Sequence, residues 1–262
     1  MPRTQTATGP RVQTIDRAVL ILRCFDAQNP ALGVTELANM TGLSSSTVFR
    51  LLSSLKQNGL VSQSGSDYKL GPLVLQLAQQ RGVAATLLAA AYPVATRLRD
   101  LVNETVGVHE LLPSGERTVV GQVEGLHELR RVYTELGAPI PLTYGSPGKV
   151  ILAHLPASKQ EEWLTRPIPS VTPQTINNPS DLKKELAIIR GRGWAESNSE
   201  RTAGIWSVAA PVFDSSETVI GALGISVPSV RMSDARSFRL GKHVKEAAAE
   251  VSALLGAYTL EG

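Results

Sequence analysis

At 262 residues with 42% hydrophobic side chains, the chain is long enough to form two domains with separate cores. It has no run of about 18 apolar residues to cross a bilayer and no apolar stretch near its start, so we expect a cytoplasmic protein without membrane contact. The single cysteine, Cys24, excludes an internal disulfide and a multi-cysteine metal site. The net charge of +3 falls within residues 1–80, which hold seven basic and four acidic side chains, and a local excess of this kind suits phosphate binding.

Hydrophobic periodicity predicts three helices in the first third of the chain. Apolar residues recur at helical spacing over 15–26, which predicts the first helix. A second helix is predicted at 34–41, and it ends at Gly42, a residue suited to the left-handed conformation that closes a helix. The third helix, 44–57, begins with a string of hydroxyl residues that favour a helix N-terminus and continues with leucines on one face. The pattern therefore predicts a tight three-helix unit.

A short hairpin is predicted directly after these helices. Residues 60–63 and 68–70 have strand composition, and the polar residues between them favour a turn. Three helices followed by a hairpin are typical of a winged helix-turn-helix, which we place at 14–71 after a disordered N-terminal tail, 1–13.

The outer face of the third predicted helix is suited to reading DNA. At about 100° per residue, Ser46, Arg50 and Ser53 lie opposite the leucines. An arginine can donate two hydrogen bonds to guanine, and small hydroxyl side chains leave room in the major groove. The predicted DNA contacts, including one residue of the wing, are Thr35, Ser44, Ser45, Ser46, Thr47, Arg50, Ser53 and Lys69. The alternative is a three-helix packing module with a polar surface.

Residues 72–103 are rich in Leu, Ala and Gln at helical spacing. They predict a linker helix, 72–90, followed by the first helix of a second domain, 91–262. A proline in a helix interior costs about 3 kcal/mol. Because Pro93 interrupts the pattern, we expect a break or kink near Tyr92.

The second domain mixes strands with segregated helices, which predicts an α+β fold. Strand composition occurs at 105–112, 117–124, 194–198, 207–213 and 219–227. Helical patterns occur at 147–154, 180–190 and 234–258.

The segment 144–149 contains a well-defined helix start. Ser146 is a candidate N-cap and Pro147 is suited to the first helical position, so free N–H groups at this end can attract an anion. A nucleotide-binding phosphate loop is excluded because Thr143 and Val150 stand where that motif requires Gly and Ser or Thr. We therefore expect no NTP hydrolysis.

Catalytic motifs are absent from the sequence. The four histidines lack metal-ligand spacing, and there is no G-x-S-x-G motif. Glu110 and Glu128 directly follow histidines, which places each pair on opposite faces of a strand. We predict a protein that is not an enzyme, with no metal site and no cofactor.

Eight stretches of the sequence carry a family resemblance. They are TIDRA from Thr14, GVTELA from Gly33, GLSSSTVFRLL from Gly42, YKLG from Tyr68, GK from Gly148, RGW from Arg192, Glu200 with Gly204, and AAPVFD from Ala209. In this order they resemble the isocitrate lyase regulator (IclR) family over roughly 13–257.

The resemblance implies a ligand-responsive transcriptional regulator with a GAF-like effector-binding domain. It implies a pocket for a small organic acid, a carboxylate, between the helix start near Ser146 and the neighbouring strands. The matching effector-binding residues are Tyr144, Gly145, Ser146, Ser197, Ser207 and Ser226. The alternative for each serine is a bond to local backbone.

We expect a homodimer or tetramer that binds a pseudo-palindromic operator of double-stranded DNA, because paired reading helices match a two-fold site. We expect the effector to modulate that binding through the helices of 72–103. The alternative function is a small-molecule sensor that acts through protein contacts without binding DNA.

Overall fold

The computed structural model describes residues 12–25, 29–79 and 82–256. The chain divides into two compact units, Met1–Gly82 and Val83–Gly262. The predicted disordered tail, 1–13, lies outside the described residues up to residue 11, as does the end of the last predicted helix beyond residue 256.

The first unit combines helices with a small sheet. In chain order its described elements are α1 (Gln13–Leu22), β1 (Leu32–Gly33), α2 (Val34–Thr41), α3 (Ser45–Gln57), β2 (Val61–Ser64), β3 (Asp67–Leu70) and α4 (Pro72–Gln79). The strands pair antiparallel in the order β1-β3-β2. This arrangement confirms the predicted winged helix-turn-helix. Strand β1 was not predicted, because two residues are too short to show a periodic pattern.

Local sequence accounts for the position of α3. The Ser44 hydroxyl caps the helix by accepting a hydrogen bond from the Thr47 backbone N–H at 3.3 Å. Gly42 closes α2 in the left-handed conformation, with φ of 68°, so the chain turns sharply between the two helices. Val48 and Leu52 are fully buried on the inner face of α3, and this packing leaves its polar face outward.

The break predicted near Tyr92 is wrong, whereas the alternative of a kink stays a prediction. Helix α5 (Gly82–Val102) continues through Pro93, and the predicted boundary at residue 90 lies inside this helix. Ala91 and Val94, on either side of the proline, are buried in the core of the second unit. Their tertiary packing compensates for the N–H donor that proline lacks. Hydrophobic periodicity along the chain does not reveal how strong this packing is.

The second unit contains an antiparallel sheet of five strands. Its remaining described elements are β4 (Thr105–Leu111), β5 (Arg117–Val123), α6 (Gly145–His154), α7 (Ala157–Leu164), α8 (Pro179–Arg192), β6 (Ala195–Asn198), β7 (Ile205–Phe213), β8 (Val219–Pro228), a 3-10 turn (Ser229–Arg231) and α9 (Asp234–Leu254). The strand order is β5-β4-β8-β7-β6. The mixed α+β class is confirmed, whereas α7 was not predicted.

Helices cover both faces of this sheet. One core joins α5 and α9 to one face, and a second core joins α6, α7 and α8 to the other. Alternation along β8 directs Leu223 and Ile225 toward the α5 and α9 side, while Ala222 packs on the α6 side. Gly224 lies close to Pro147 of α6, and Ser226 continues the same face. The α6 face is therefore where side chains from several strands meet.

The helix start at α6 differs from the prediction. The helix begins at Gly145, whose φ is 70°, and Tyr144 precedes it without a side-chain cap. Ser146 is not the N-cap, because its hydroxyl donates to the Ser207 hydroxyl at 2.8 Å. A hydroxyl on the neighbouring strand thus competes with the local cap, which is a tertiary effect.

Candidate functional sites

The outer face of α3 is polar and open to solvent. Ser46 and Arg50 are exposed, and Ser53 is half-buried with its hydroxyl donating to the Phe49 carbonyl at 2.9 Å. The structure therefore brings the three predicted reading residues onto one accessible surface. Arg50 has no hydrogen bond or ion pair assigned among the described residues, so its guanidinium can reach outward.

Hydroxyl groups cluster at the N-terminus of α3. The Ser44 hydroxyl lies 3.1 Å from that of Ser46 and 2.9 Å from that of Thr47, and Ser45 is exposed beside them. Because these groups are at a helix N-terminus, their local potential favours an anion such as a phosphate.

The remaining predicted DNA contacts lie outside α3. Thr35 is exposed in the first turn of α2, and Lys69 is exposed on strand β3 of the wing. Both are accessible, one at the start of α2 and one in the hairpin.

An aromatic residue on α3 escaped the sequence prediction. Phe49 is 56% exposed, although a phenylalanine in an amphipathic helix is expected to be buried. It borders a groove between α3 and the wing, where Lys56 donates to the Gln63 side chain at 2.7 Å. Helical spacing could have found it, since Phe49 lies about 100° from the buried leucine stripe.

The second candidate site is a cationic pocket on the α6 face of the large sheet. Its described lining consists of His109, Arg117, Arg131, Tyr133, Gly145, Pro147, Ser197, Arg201, Thr202, Ile205, Ser207 and Ser226. The cavity volume is about 30 Å³, enough for a group the size of a carboxylate, and the cavity is open to solvent, so the remainder of a ligand can extend outward.

Arg117 forms the floor of this pocket. Its side chain is 1% exposed, and its guanidinium donates to Nδ1 of His109 at 3.0 Å and to the Tyr144 carbonyl at 3.2 Å. Burial, followed by repulsion from Arg201, lowers the pKa of Arg117 to about 9. Its Nε is buried without a hydrogen-bond partner. A buried cation with spare donor capacity is suited to an anion.

His109 is neutral beside this arginine. Burial, followed by repulsion from Arg117 and Arg201, holds the pKa of His109 well below its usual value. A guanidinium can only donate, so Nδ1 accepts and the imidazole proton is on Nε2. Nε2 is buried without a partner, which makes it a further donor for a bound ligand.

An irregularity in the sheet orients His109. The register of β4 against β5 shifts between Val108 and His109, because Val108 pairs with Gly121 whereas His109 pairs with Val119. A bulge of this kind changes the direction of neighbouring side chains, and such bulges are common beside functional sites.

Two further arginines lie at the rim. Arg201 retains 23% side-chain exposure and pairs with Glu135 at 2.8 Å, and that carboxylate is 61% exposed. Arg131 stacks over the Tyr133 ring, with 5.2 Å between its guanidinium carbon and the ring centroid. The Tyr133 hydroxyl is 2.7 Å from that of Ser226.

Four of the six predicted effector residues line the pocket: Gly145, Ser197, Ser207 and Ser226. Ser146 is fully buried behind this lining, where it donates to Ser207. The Tyr144 ring is not among the lining residues, because its hydroxyl donates to the Pro169 carbonyl at 2.8 Å. Burial raises the pKa of that hydroxyl. Tyr144 contributes its backbone carbonyl, which holds Arg117.

The sequence prediction missed the charged lining residues Arg117, Arg131 and Arg201 and also His109. The available signal was Arg117 inside an otherwise apolar strand sequence, where a charged side chain is unusual. Which face of the sheet it occupies follows only from pairing with β4.

A buried ion pair lies next to the pocket. Lys149 of α6 is 1% exposed and donates to Glu200 at 2.6 Å. Burial raises the pKa of Glu200, while Lys149 and the Ser197 hydroxyl oppose that shift. Ser197 thus connects the pocket lining to this pair.

Within the described part of the chain, no group of three or more His, Cys, Asp or Glu side chains is arranged to hold a metal ion. Among the same residues, no helix has the length and hydrophobicity needed to span a bilayer.

The first unit is a winged helix-turn-helix whose third helix has an open polar face, and the second unit contains a cationic pocket. Together they define a ligand-responsive DNA-binding transcriptional regulator. The chain belongs to the IclR family: residues 14–65 match the IclR helix-turn-helix domain, and residues 82–253 match the family described as bacterial transcriptional regulator IclR C-terminal.

Curated relatives agree with this assignment. The transcriptional repressor IclR of Escherichia coli K12 is 32% identical over 257 residues, covering 97% of this chain and 93% of that protein. The acetate operon repressor of Salmonella typhimurium LT2 is 30% identical, with the same two coverages of 97% and 93%. These relatives are regulators rather than enzymes.

Solved structures share the architecture. The IclR protein of Thermotoga maritima is 27% identical with a TM-score of 0.77, covering 94% of this chain and 100% of that one. An IclR homologue from Microbacterium hydrocarbonoxydans, complexed with 4-hydroxybenzoate, has a TM-score of 0.78 at 23% identity, covering 93% and 99%. The latter similarity concerns the fold.

Proposed function

We propose that α3 reads the major groove of a pseudo-palindromic operator and that an organic acid bound at Arg117 modulates this binding. The proposal of an effector site rests on a buried arginine beside a neutral histidine, each with one nitrogen that has no hydrogen-bond partner. A buried cation without a partnered carboxylate is costly, and a ligand carboxylate would offset that cost.

Arg50 is the proposed base-reading residue of α3. Its exposed guanidinium can donate two parallel hydrogen bonds to guanine, whereas the hydroxyls of Ser44, Ser45 and Thr47 suit phosphates or base edges. Lys69 of the wing and Thr35 of α2 would add backbone contacts on either side.

Phe49 would add an apolar base contact. A phenylalanine at the edge of a reading helix can pack against the methyl group of thymine, which only that base presents in the major groove. Its 56% exposure in the free chain supports this role, because DNA would cover apolar surface that is otherwise in water.

For the effector, four groups would bind one carboxylate. The Arg117 guanidinium and Nε2 of His109 supply charge-assisted and neutral donors, and the Ser207 and Ser226 hydroxyls line the same space. The homologue that holds 4-hydroxybenzoate, an aromatic carboxylate, is consistent with this ligand class.

The proposed assembly is a homodimer or a dimer of dimers. Two copies of α3 related by two-fold symmetry would match two half-sites about one helical turn apart. Effector binding would then shift the population of DNA-competent states through the chain segment of α4 and α5.

The test begins with operator selection from random double-stranded DNA by the purified full-length protein. Fluorescence anisotropy with the selected DNA is then measured during titration with benzoate, butyrate and their dicarboxylate counterparts. The proposal is supported if a carboxylate changes operator affinity in the unaltered chain but not in the double variant Ser146→Leu/Ser207→Leu. The double variant must still bind the operator. A response that persists in the double variant would overturn the proposed pocket.

A further inference from the structure

The pocket carries more positive charge than one carboxylate would neutralise. Within the described residues its lining contains three arginines and no Asp or Glu. Glu135 reaches one of them, Arg201, from outside the lining, and Glu200 is already paired with Lys149. The excess is therefore close to two positive charges, since His109 is neutral.

These charges occupy two levels of the pocket. Arg117 is at the buried floor, hydrogen-bonded to His109, and its position is fixed by the Tyr144 carbonyl. Arg131 and Arg201 are partly exposed at the rim. Floor and rim are electrostatically coupled, because repulsion from Arg201 contributes to the low pKa of Arg117.

The rim pair with Glu135 is exchangeable. A carboxylate that is 61% exposed gives an ion pair with a small net stabilisation, typically below about 1 kcal/mol. A ligand carboxylate entering the partly buried rim can therefore displace Glu135 from Arg201.

Apolar groups also line the pocket. Tyr133, Pro147 and Ile205 are among its lining residues and carry no formal charge. They suit the short carbon skeleton of a ligand whose two ends are anionic.

We propose that the effector is a dicarboxylate, with one carboxylate at Arg117 on the floor and the second at Arg201 and Arg131 on the rim. This inference rests on the proposed effector pocket and adds the requirement for two negative charges. A neutral or singly charged ligand would leave part of the positive charge of the lining without a compensating anion.

The test compares ligands that differ by one carboxylate. Isothermal titration calorimetry of the full-length chain would use benzoate against the three phthalate isomers, and butyrate against succinate, at one pH and ionic strength. A second charge-assisted contact in a partly buried site is expected to tighten binding about tenfold or more in at least one pair. Equal affinities within each pair would overturn the inference.

Two rim variants give opposite expectations. Arg201→Gln is expected to reduce the advantage of the dicarboxylate to less than about threefold, since it removes a rim charge. Glu135→Gln is expected to raise dicarboxylate affinity severalfold by removing the competing carboxylate. Because a gain in affinity cannot result from misfolding, an unchanged or weaker dicarboxylate affinity in Glu135→Gln would contradict the rim assignment.

The outcomes also separate this inference from the proposed function. In one outcome, monocarboxylates bind as tightly as dicarboxylates and lose affinity in Arg117→Gln. This result would support the carboxylate pocket and overturn only the requirement for a second carboxylate. Absence of binding by both ligand classes would overturn both.

Discussion

Nη1 of Arg117 lies 3.0 Å from Nδ1 of His109, and both side chains are almost completely buried. Because the guanidinium can only donate, this contact fixes the imidazole as the neutral tautomer with its proton on Nε2. The pair therefore places a positive charge and an unpartnered N–H donor in one small cavity. Burying a positive charge and an unpaired donor costs free energy in the ligand-free chain, and a bound anion would offset that cost.

Replacing the floor arginine should separate ligand response from stability. We expect Arg117→Met to abolish the thermal shift caused by carboxylates while changing the free energy of unfolding of the ligand-free chain by less than about 2 kcal/mol. Removing a desolvated charge is stabilising, whereas the two acceptors left without a donor, Nδ1 of His109 and the Tyr144 carbonyl, cost about 1–3 kcal/mol each and offset that gain. Urea denaturation measures the stability, and Arg166→Met, at an exposed cation–π contact with Trp163, is the matched control.

A clear loss of stability in Arg117→Met, together with a retained carboxylate response, would contradict the assignment of Arg117 as the anion anchor.

The buried imidazole predicts a pH dependence of stability. Since the pKa of His109 in the folded chain lies well below 6.5, the unfolded chain takes up a proton below that pH while the folded chain does not. Stability is therefore expected to fall as the pH decreases below about 6.5, with a contribution of about 1.4 kcal/mol per pH unit from this residue. Urea titrations between pH 7.5 and about 5 measure the slope.

In His109→Gln this contribution should disappear, so the pH dependence becomes shallower. His154, whose pKa burial also lowers, contributes in the same direction, and His154→Gln serves as the comparison. A His109→Gln variant with the same acid slope as the unaltered chain would show that the imidazole is protonated in the folded state.

Arg50 is expected to carry specificity on DNA. Loss of a bidentate contact to guanine costs about 1–3 kcal/mol, so Arg50→Ala should weaken binding to the selected operator by roughly 5- to 150-fold. Anisotropy at several salt concentrations measures both the affinity and the salt slope. Arg166→Ala removes another exposed arginine, one in the second unit, and should leave operator affinity unchanged. If Arg50→Ala changes neither affinity nor salt slope, α3 is not the reading helix.

Phe49 offers a chemically precise test of thymine recognition. Replacing individual thymines of the selected operator by deoxyuridine removes one methyl group, which is worth about 0.8 kcal/mol, or about fourfold in affinity, when it is buried. We expect one such position per half-site to show this loss in the unaltered chain but not in Phe49→Ala. Equal losses at that position in both proteins would assign the methyl contact to another residue.

The helix-turn-helix was predictable because its signals are local. Ser44 caps α3 through a residue three positions away, and Gly42 closes α2 through its own backbone conformation. Neither interaction requires distant parts of the chain. The exposed Phe49 was missed because its identity suggests burial, although its helical spacing from the buried leucines directs it away from the core.

The pocket was only partly predictable. Hydroxyl residues near α6 and along β7 and β8 were found, and Ser207 and Ser226 do line the cavity. The cap assigned to Ser146 was wrong because Ser207, 61 positions away in sequence, provides its partner. The break at Pro93 was wrong for a similar reason, since distant core contacts hold α5 together.

By itself, the sequence determined the order of the elements, the winged helix-turn-helix and the polar face of α3, because capping, glycine turns and helical periodicity act between residues close in the chain. Only the tertiary structure decided that Arg117, His109 and Arg201 meet in one cavity. Their convergence depends on strand pairing, on the register shift beside His109 and on α6 packing against the sheet. The charge of that cavity follows from burial, which keeps His109 neutral by lowering its pKa and leaves the arginines as its cationic groups.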